Sequence, residues 1–100
     1  MDMQHLLKQA ERLRKDFADL EERLAAYRCE GTAGGGVRVE ADGHGNVVGL
    51  AIDPELAASG DAALLQQAVL AAVRQTLAQS RAYRDEQRAS LTGGLPLPEF

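Results

Sequence analysis

The sequence has no tryptophan, four aromatic residues and one cysteine among its 100 residues. The lone Cys29 excludes a disulfide within the chain and suits a reducing cytosol. The longest apolar run, residues 68–73, is far too short to span a bilayer, and residues 1–5 are polar and unlike a signal peptide. These absences predict a soluble cytoplasmic protein that does not engage a membrane.

The chain also lacks an excess of positive charge. Eleven Lys and Arg residues stand against fifteen Asp and Glu, which gives a net charge of −4. The total therefore does not indicate nucleic-acid binding, and any such surface must come from where the charges lie. A chain this short buries a small share of its surface, which favours a core shared with a second chain.

The strongest pattern that is present lies at the start, where apolar residues recur at alternating spacings of three and four. This strict heptad places them on one narrow seam of a helix, which is typical of a coiled-coil arm. It predicts a helix over residues 2–27 whose seam is Met3, Leu6, Ala10, Leu13, Phe17, Leu20, Leu24 and Tyr27.

A sheet is predicted next. Residues 36–42 alternate apolar and charged side chains, and the Gly and Asn residues that follow suit a hairpin turn. The strand over residues 46–52 is apolar on both faces, a property of strands covered on both sides. Residues 27–32 complete the prediction as a further strand.

A second long helix is predicted over residues 61–91, with an extended tail over residues 92–100. The class is therefore α+β in a single domain, residues 1–100, with two long helices and a small antiparallel sheet of two to three strands. The helices, about 40 and 45 Å long, outreach strands of about 23 Å. Their overhanging ends are expected to pair antiparallel as a protruding arm, with residues 5–15 near residues 80–91.

No arrangement of catalytic residues stands out. The glycines at 34–36 precede a strand, whereas a phosphate loop needs a helix N-terminus at that point. His5, Cys29 and His44 lack metal-ligand spacing. We therefore predict that the protein is not an enzyme and that it binds neither a cofactor nor a metal.

The positions of the charges are more informative than their total. Arg74, Arg81, Arg84 and Arg88 fall on one face of the second helix, downstream of a core-like apolar stretch on that face (Val69, Leu70, Val73 and Leu77). On the first helix, Lys8, Arg12 and Lys15 lie opposite the heptad seam. These seven cations are the candidate DNA-binding residues, since basic arm tips with an acidic body suit phosphate contact. Charge alone leaves open that they form ordinary solvated faces.

Four segments, in order and spacing, resemble the YbaB/EbfC family: LLKQA at 6–10, GTAGGGVRV at 31–39, IDPEL at 52–56 and LTGGLP at 91–96. The resemblance implies a tight dimer with a joined β body and two protruding helical arms. It also implies double-stranded DNA as a partner and association with the nucleoid. The glycine- and methionine-rich N-terminal extension common in the family is replaced here by residues 1–5.

Two hypotheses follow. The first is a homodimeric DNA-binding architectural protein that contacts phosphates with little base specificity, its dimer interface including Val47, Gly49 and Ala51. The second is a protein–protein adaptor accessory to replication or recombination machinery, favoured by the heptad seam and the acidic total.

Overall fold

Two long helices and a three-stranded sheet make up the computed structural model, which describes residues 2–91. The elements are α1 (Met3–Ala26), β1 (Cys29–Ala33), β2 (Val37–Ala41), β3 (Val47–Ile52), α2 (Pro54–Ala58) and α3 (Ala62–Leu91). This architecture confirms the predicted α+β class with its long terminal helices, and the molecule is correspondingly elongated, 69 × 21 × 17 Å. The extended tail predicted for residues 92–100 lies outside the described residues.

The sheet has the antiparallel order β1-β2-β3, with β2 at its centre and a bulge at Glu40 and Ala41. The first strand begins at Cys29, so the predicted span of 27–32 is displaced. The reason is that Tyr27 caps the C-terminus of α1 and its ring stacks on Tyr83, which holds it to the helices. No helix within residues 2–91 is long and apolar enough to cross a membrane.

α3 packs on the sheet through small side chains. Its buried residues recur every fourth position, and they are Ala68, Ala72, Thr76 and Ser80. They face Val37 and Val39 of β2, which are almost completely buried. Of the larger stretch expected to face the core, Val69, Val73 and Leu77 are half-buried, and Val69 and Val73 pack against the flank of the core, whereas Leu70 is 50% exposed.

The two buried hydroxyls of this face are bonded to the sheet. Thr76 Oγ1 donates to the Val39 carbonyl oxygen at 3.2 Å or to that of Ala72 at 2.7 Å, and Ser80 Oγ donates to that of Asp42 at 2.7 Å. A buried hydroxyl is costly only when unpaired. The polar residues therefore fix the position of the helix along the sheet without a penalty.

The close approach of α3 depends on Gly31 of β1. A Cβ atom there would meet Thr76 Oγ1 and lie 2.8 Å from the Ala72 carbonyl oxygen. We expect Gly31→Ala to lower the free energy of unfolding by about 1–3 kcal/mol, the usual cost of overpacking. Urea denaturation at one fixed protein concentration measures this loss.

Thr32→Ala is the matched control, because Thr32 is the exposed neighbour of Gly31 on the same strand. Equal stability losses in the two variants would contradict a tight contact at Gly31.

Candidate nucleic-acid interface

The N-terminal half of α1 projects from the fold. Asp2 caps the helix by accepting a hydrogen bond from Gln4 N at 3.2 Å, and residues 2–15 are all exposed. Within α1, burial is confined to Leu20 and Leu24. The seam is therefore split: its C-terminal part is packed, whereas Met3, Leu6 and Leu13 are about half exposed or more.

The charges of α1 divide at the same place. Residues 3–15 carry four cations and one carboxylate, a charge of +3, whereas residues 16–26 carry one cation and four carboxylates, a charge of −3. The candidate cations Lys8, Arg12 and Lys15 are exposed on the projecting half. Basic charge is thus concentrated at the end of the molecule farthest from the sheet.

The two helices pair in a different register from the one expected. Tyr27 and Tyr83 stack with ring centroids 3.6 Å apart. The C-terminal end of α1 therefore lies beside the C-terminal third of α3. Antiparallel pairing outward from this contact brings about residues 19–27, rather than 5–15, beside residues 83–91. The expected register was wrong because α3 packs on the sheet from Ala68 to Ser80, which leaves only its last turns to pair with α1.

The four candidate arginines of α3 fall into two groups. Arg74, Arg81 and Arg88 are exposed. Arg84 is not on the solvent side as expected: it is half-buried, and its Nη1 donates to the Gly43 carbonyl oxygen at 2.9 Å and to Ser80 Oγ at 3.4 Å. Arg84 therefore anchors the arm to the hairpin turn.

The two edges of the sheet differ. On β1, the Thr32 N–H donates to Gln75 Oε1 at 3.0 Å, and Gln79 Nε2 donates to the Glu30 carbonyl oxygen at 2.8 Å. These glutamines of α3 occupy backbone groups with which another strand would pair. Sequence reasoning missed them, although their spacing of four beside the small-residue face was visible. The edge of β3 has no such cover among the hydrogen bonds of the described residues.

An open apolar groove of about 440 Å³ lies between β3 and α3. Its lining is Ile52, Leu65, Gln66, Val69, Leu70 and Val73. Val47, Val48 and Leu50 of β3 are each about half exposed. Leu50 pairs with the buried Val39, so it lies on the face of the sheet that is turned toward α3 and extends the uncovered apolar surface of the groove.

The residues predicted to form the dimer interface lie on this same strand. Gly49 pairs with Glu40 and Ala51 with Arg38 across the sheet. That outer face carries the ion pairs Arg28–Glu40 at 3.9 Å and Arg38–Glu30 at 4.0 Å, so it is more polar than the alternation of β3 alone suggests. Contact of Val47, Gly49 and Ala51 with a partner stays a prediction.

The turn between β2 and β3 is held by Asp42. Its Oδ1 accepts from the N–H groups of His44 at 2.9 Å and Asn46 at 3.0 Å, and its Oδ2 accepts from Asn46 Nδ2 at 3.1 Å. Burial by itself raises the pKa of the Asp42 carboxyl, but the hydrogen bonds, led by those of Asn46, outweigh it and hold the pKa below its ordinary value. The carboxylate form is therefore part of the folded turn.

Cys29 and the histidines do not form a reactive cluster. Cys29 is buried, and its Sγ lies 3.4 Å from the Thr76 carbonyl oxygen. Burial raises the pKa of this thiol, which keeps it protonated. Among residues 2–91 no group of three or more His, Cys, Asp or Glu side chains is placed to hold a metal ion.

A small antiparallel sheet flanked by two long helices, with cations on projecting helix ends, defines an α+β protein with helical arms. The chain belongs to the YbaB/EbfC DNA-binding family, whose family model matches residues 1–95. This confirms the resemblance seen in the sequence. The family is one of DNA-binding proteins and is not an enzyme family.

Relatives of known name agree with this assignment. A nucleoid-associated protein of Anaeromyxobacter sp. strain Fw109-5 is 40% identical over 99 residues, 98% of this chain and 96% of the relative. A nucleoid-associated protein of Deinococcus radiodurans is 36% identical over 100 residues, all of both chains. The crystal structure of an uncharacterized Helicobacter pylori protein matches with a TM-score of 0.81 at 26% identity, covering 93% of this chain and 99% of that one.

The lowered pKa of Asp42 predicts a pH dependence. The folded state binds fewer protons at this carboxyl than the unfolded state does, so its stabilisation is complete above the unfolded pKa of about 3.9 and is lost as pH falls through the folded value. We expect Asp42→Asn to be less stable than the original protein near neutral pH. This difference should shrink in urea titrations repeated at about pH 2.5.

Asp85→Asn, at an exposed carboxyl on α3, controls for the removal of one negative charge. A stability difference for Asp42→Asn that stays constant across this pH range would contradict the role given to the carboxylate.

Proposed function

We propose that the protein is a homodimer that binds duplex DNA through phosphate contacts, with little sequence specificity, in the cytoplasm at the bacterial nucleoid and without a catalytic role. One observation carries the proposal: the exposed half of α1 has a charge of +3 in a chain whose net charge is −4. Clustered Lys and Arg side chains gain affinity for DNA by displacing condensed counterions. The acidic remainder of the chain disfavours contact elsewhere.

The aromatic residues support contact with the backbone over contact with bases. Tyr27 and Tyr83 stack on each other, and Phe17 is half-buried at the base of the projecting half. None of these three rings is displayed as a platform on which a base could stack. Phosphate contacts carry no sequence information, so we infer low specificity.

The uncovered apolar surface supports dimerisation. Leu50 and Leu70, 55% and 50% exposed, flank a groove beside the uncovered edge of β3. An exposed edge strand with apolar side chains readily pairs with another chain, and apolar patches of this kind mark interfaces. We propose that a second copy covers β3 and the groove, with Val47 in the contact and with Gly49 and Ala51 allowing close approach.

In the proposed dimer, the arginines of α3 would lie next to the interface. With 3.6 residues per turn, Leu70, Arg81 and Arg88 lie within about 20° of one another around the helix axis. The arginines therefore continue the face that holds the groove, and Arg74 lies close to the same face. A partner seated in the groove leaves the arginine stripes of both chains beside the space between the arms, where a duplex would enter.

The DNA proposal predicts that Lys8→Ala combined with Lys15→Ala weakens binding to unrelated duplex sequences alike. Arg81→Ala combined with Arg88→Ala should act in the same direction. For every phosphate that the protein no longer neutralises, the slope of log affinity against log salt concentration should fall by roughly 0.9. Fluorescence anisotropy of labelled duplexes across a salt series measures both quantities.

Arg38→Ala is the control, because Arg38 is exposed on the outer face of the sheet and pairs with Glu30. We expect it to change neither affinity nor slope. Arg84 is left intact in these variants, since its removal would also break the bond to Gly43. Unchanged affinity and slope in both double variants would refute phosphate contact by these cations.

The dimer proposal predicts that Leu70→Lys yields folded or partly unfolded monomers near 10.7 kDa in light scattering at micromolar concentration. The physical reason is that an unpaired ammonium group in the covered groove is strongly disfavoured. Leu64→Lys is the control: Leu64 is 45% exposed on the same helix but lies on the side away from the groove. Dimers that persist in Leu70→Lys would contradict the proposed interface.

Gly49→Glu tests the other face of β3. We expect it to weaken the dimer, because it puts a carboxylate where a partner should approach closely and opposite Glu40. An intact dimer in this variant, together with monomers for Leu70→Lys, would confine the interface to the α3 side.

The adaptor hypothesis has one observation in its favour. Met3, Leu6 and Leu13 display an apolar seam that another helix could cover. Absence of DNA binding by the unaltered protein at low salt would favour this alternative, with a protein of the replication or recombination machinery as the partner.

A further inference from the structure

The arms join the body at a small cluster, which we call the arm junction and define as Leu24, Tyr27, Asp42, Gly43, Ser80, Tyr83 and Arg84. Here the hairpin turn after β2 lies between the two long helices. Because burial within α1 is confined to Leu20 and Leu24, the direction of its projecting half depends on few contacts. The arm junction supplies most of them.

A single residue, Gly43, is bonded to both helices. Its N–H donates to the Leu24 carbonyl oxygen at 2.7 Å, and its own carbonyl oxygen accepts from Arg84 Nη1 at 2.9 Å. The carbonyl oxygen of the preceding Asp42 accepts from Ser80 Oγ at 2.7 Å. A Cβ on Gly43 would lie 2.7 Å from the Leu24 carbonyl oxygen and 2.8 Å from its Cα, so a side chain there would push α1 away.

The tyrosine pair adds an angular restraint. The rings of Tyr27 and Tyr83 are 3° from parallel and 3.6 Å apart, one at the end of α1 and the other on α3. Two flat faces in contact resist tilting of one helix against the other. On the side of α1 toward the turn, His44 Nε2 lies 3.3 Å from the Glu21 carbonyl oxygen and 3.4 Å from Glu21 Oε2.

A small change of angle at this point becomes a large displacement at the tip. From Leu24 to Met3 the helix extends about 32 Å, so a tilt of about 10° moves its end by roughly 5–6 Å. That displacement is comparable to the width of about 6 Å of the minor groove of DNA. Cations held in the right place before binding avoid the cost of ordering them.

We propose that the arm junction is a positioning device for the DNA site, and that Tyr27, Gly43 and Tyr83 set where the basic arm tips stand without contacting DNA. The inference rests on the proposed DNA-binding function and adds to it a set of uncharged residues. Their removal changes arm direction and affinity while the number of phosphates that the protein neutralises stays the same.

The test compares Tyr83→Ala with Tyr83→Phe, which keeps the flat ring. Spin labels at Gln9→Cys and Thr32→Cys, in a Cys29→Ala background diluted with unlabelled protein, report the distance from arm to sheet within one chain. The labelled sites are exposed at both positions. Electron–electron double resonance gives the distance distribution, and anisotropy gives DNA affinity and its salt slope.

We expect Tyr83→Ala to broaden the distance distribution and to weaken DNA binding by about tenfold with an unchanged salt slope. Tyr83→Phe should restore both. If Tyr83→Ala fails to fold by circular dichroism, Tyr83→Leu and Tyr27→Leu keep apolar bulk without a ring stack and are expected to behave in the same way.

An unchanged distance distribution, or a broadened one with unaltered affinity, overturns the inference. So does a lower salt slope, which would mean that Tyr83 supports a phosphate contact directly. Failure of the unaltered protein to bind DNA at low salt is a separate result, because it refutes the proposed function while the distance measurement still reports on the arm junction.

Discussion

The rest of the structure depends on the close contact between α3 and the sheet. Ala68, Ala72, Thr76 and Ser80 are small enough to let the helix rest on strand backbone, and Gly31 has no side chain to hold it off. Two hydroxyls fix its position by bonding to carbonyl oxygens of Val39 and Asp42. Because small residues fill this contact, the large apolar residues of α3 are turned to its flank.

That displacement links the core to assembly. A helix packed through its large side chains would have buried Leu70 and Val73, and the single chain would have had a larger core. Here they line an open groove beside β3. Strand β2 is paired on both sides, whereas β3 is paired only with β2 and its other edge is uncovered. The glutamines on the opposite edge block β1, so pairing with another chain is directed to one side.

Much of the fold could be predicted because its patterns are local. The heptad predicted α1, the alternation at 37–41 predicted β2, and Asp53 with Pro54 marks the start of α2 through capping geometry. What pattern could not predict was which face of α3 is buried. Hydrophobicity favours Val69, Leu70 and Val73, whereas the close approach permitted by Gly31 favours alanine and hydroxyl side chains. The choice depends on how closely two segments about 40 residues apart in sequence fit together. The periodicity of either segment alone carries no information about that fit.

The candidate site was predicted in composition and revised in geometry. Lys8, Arg12 and Lys15 are exposed on a projecting helix, as their spacing opposite the seam requires. Arg84 shares its helical face with Arg81 and Arg88, yet it bonds to Gly43 because the hairpin turn reaches that level of α3. Periodicity assigns residues to a face of one helix, but it does not tell where along that face the rest of the chain makes contact. The contact with the turn distinguishes Arg84, which anchors the arm, from its exposed neighbours Arg81 and Arg88, so one helical face both holds the arm and carries its charge.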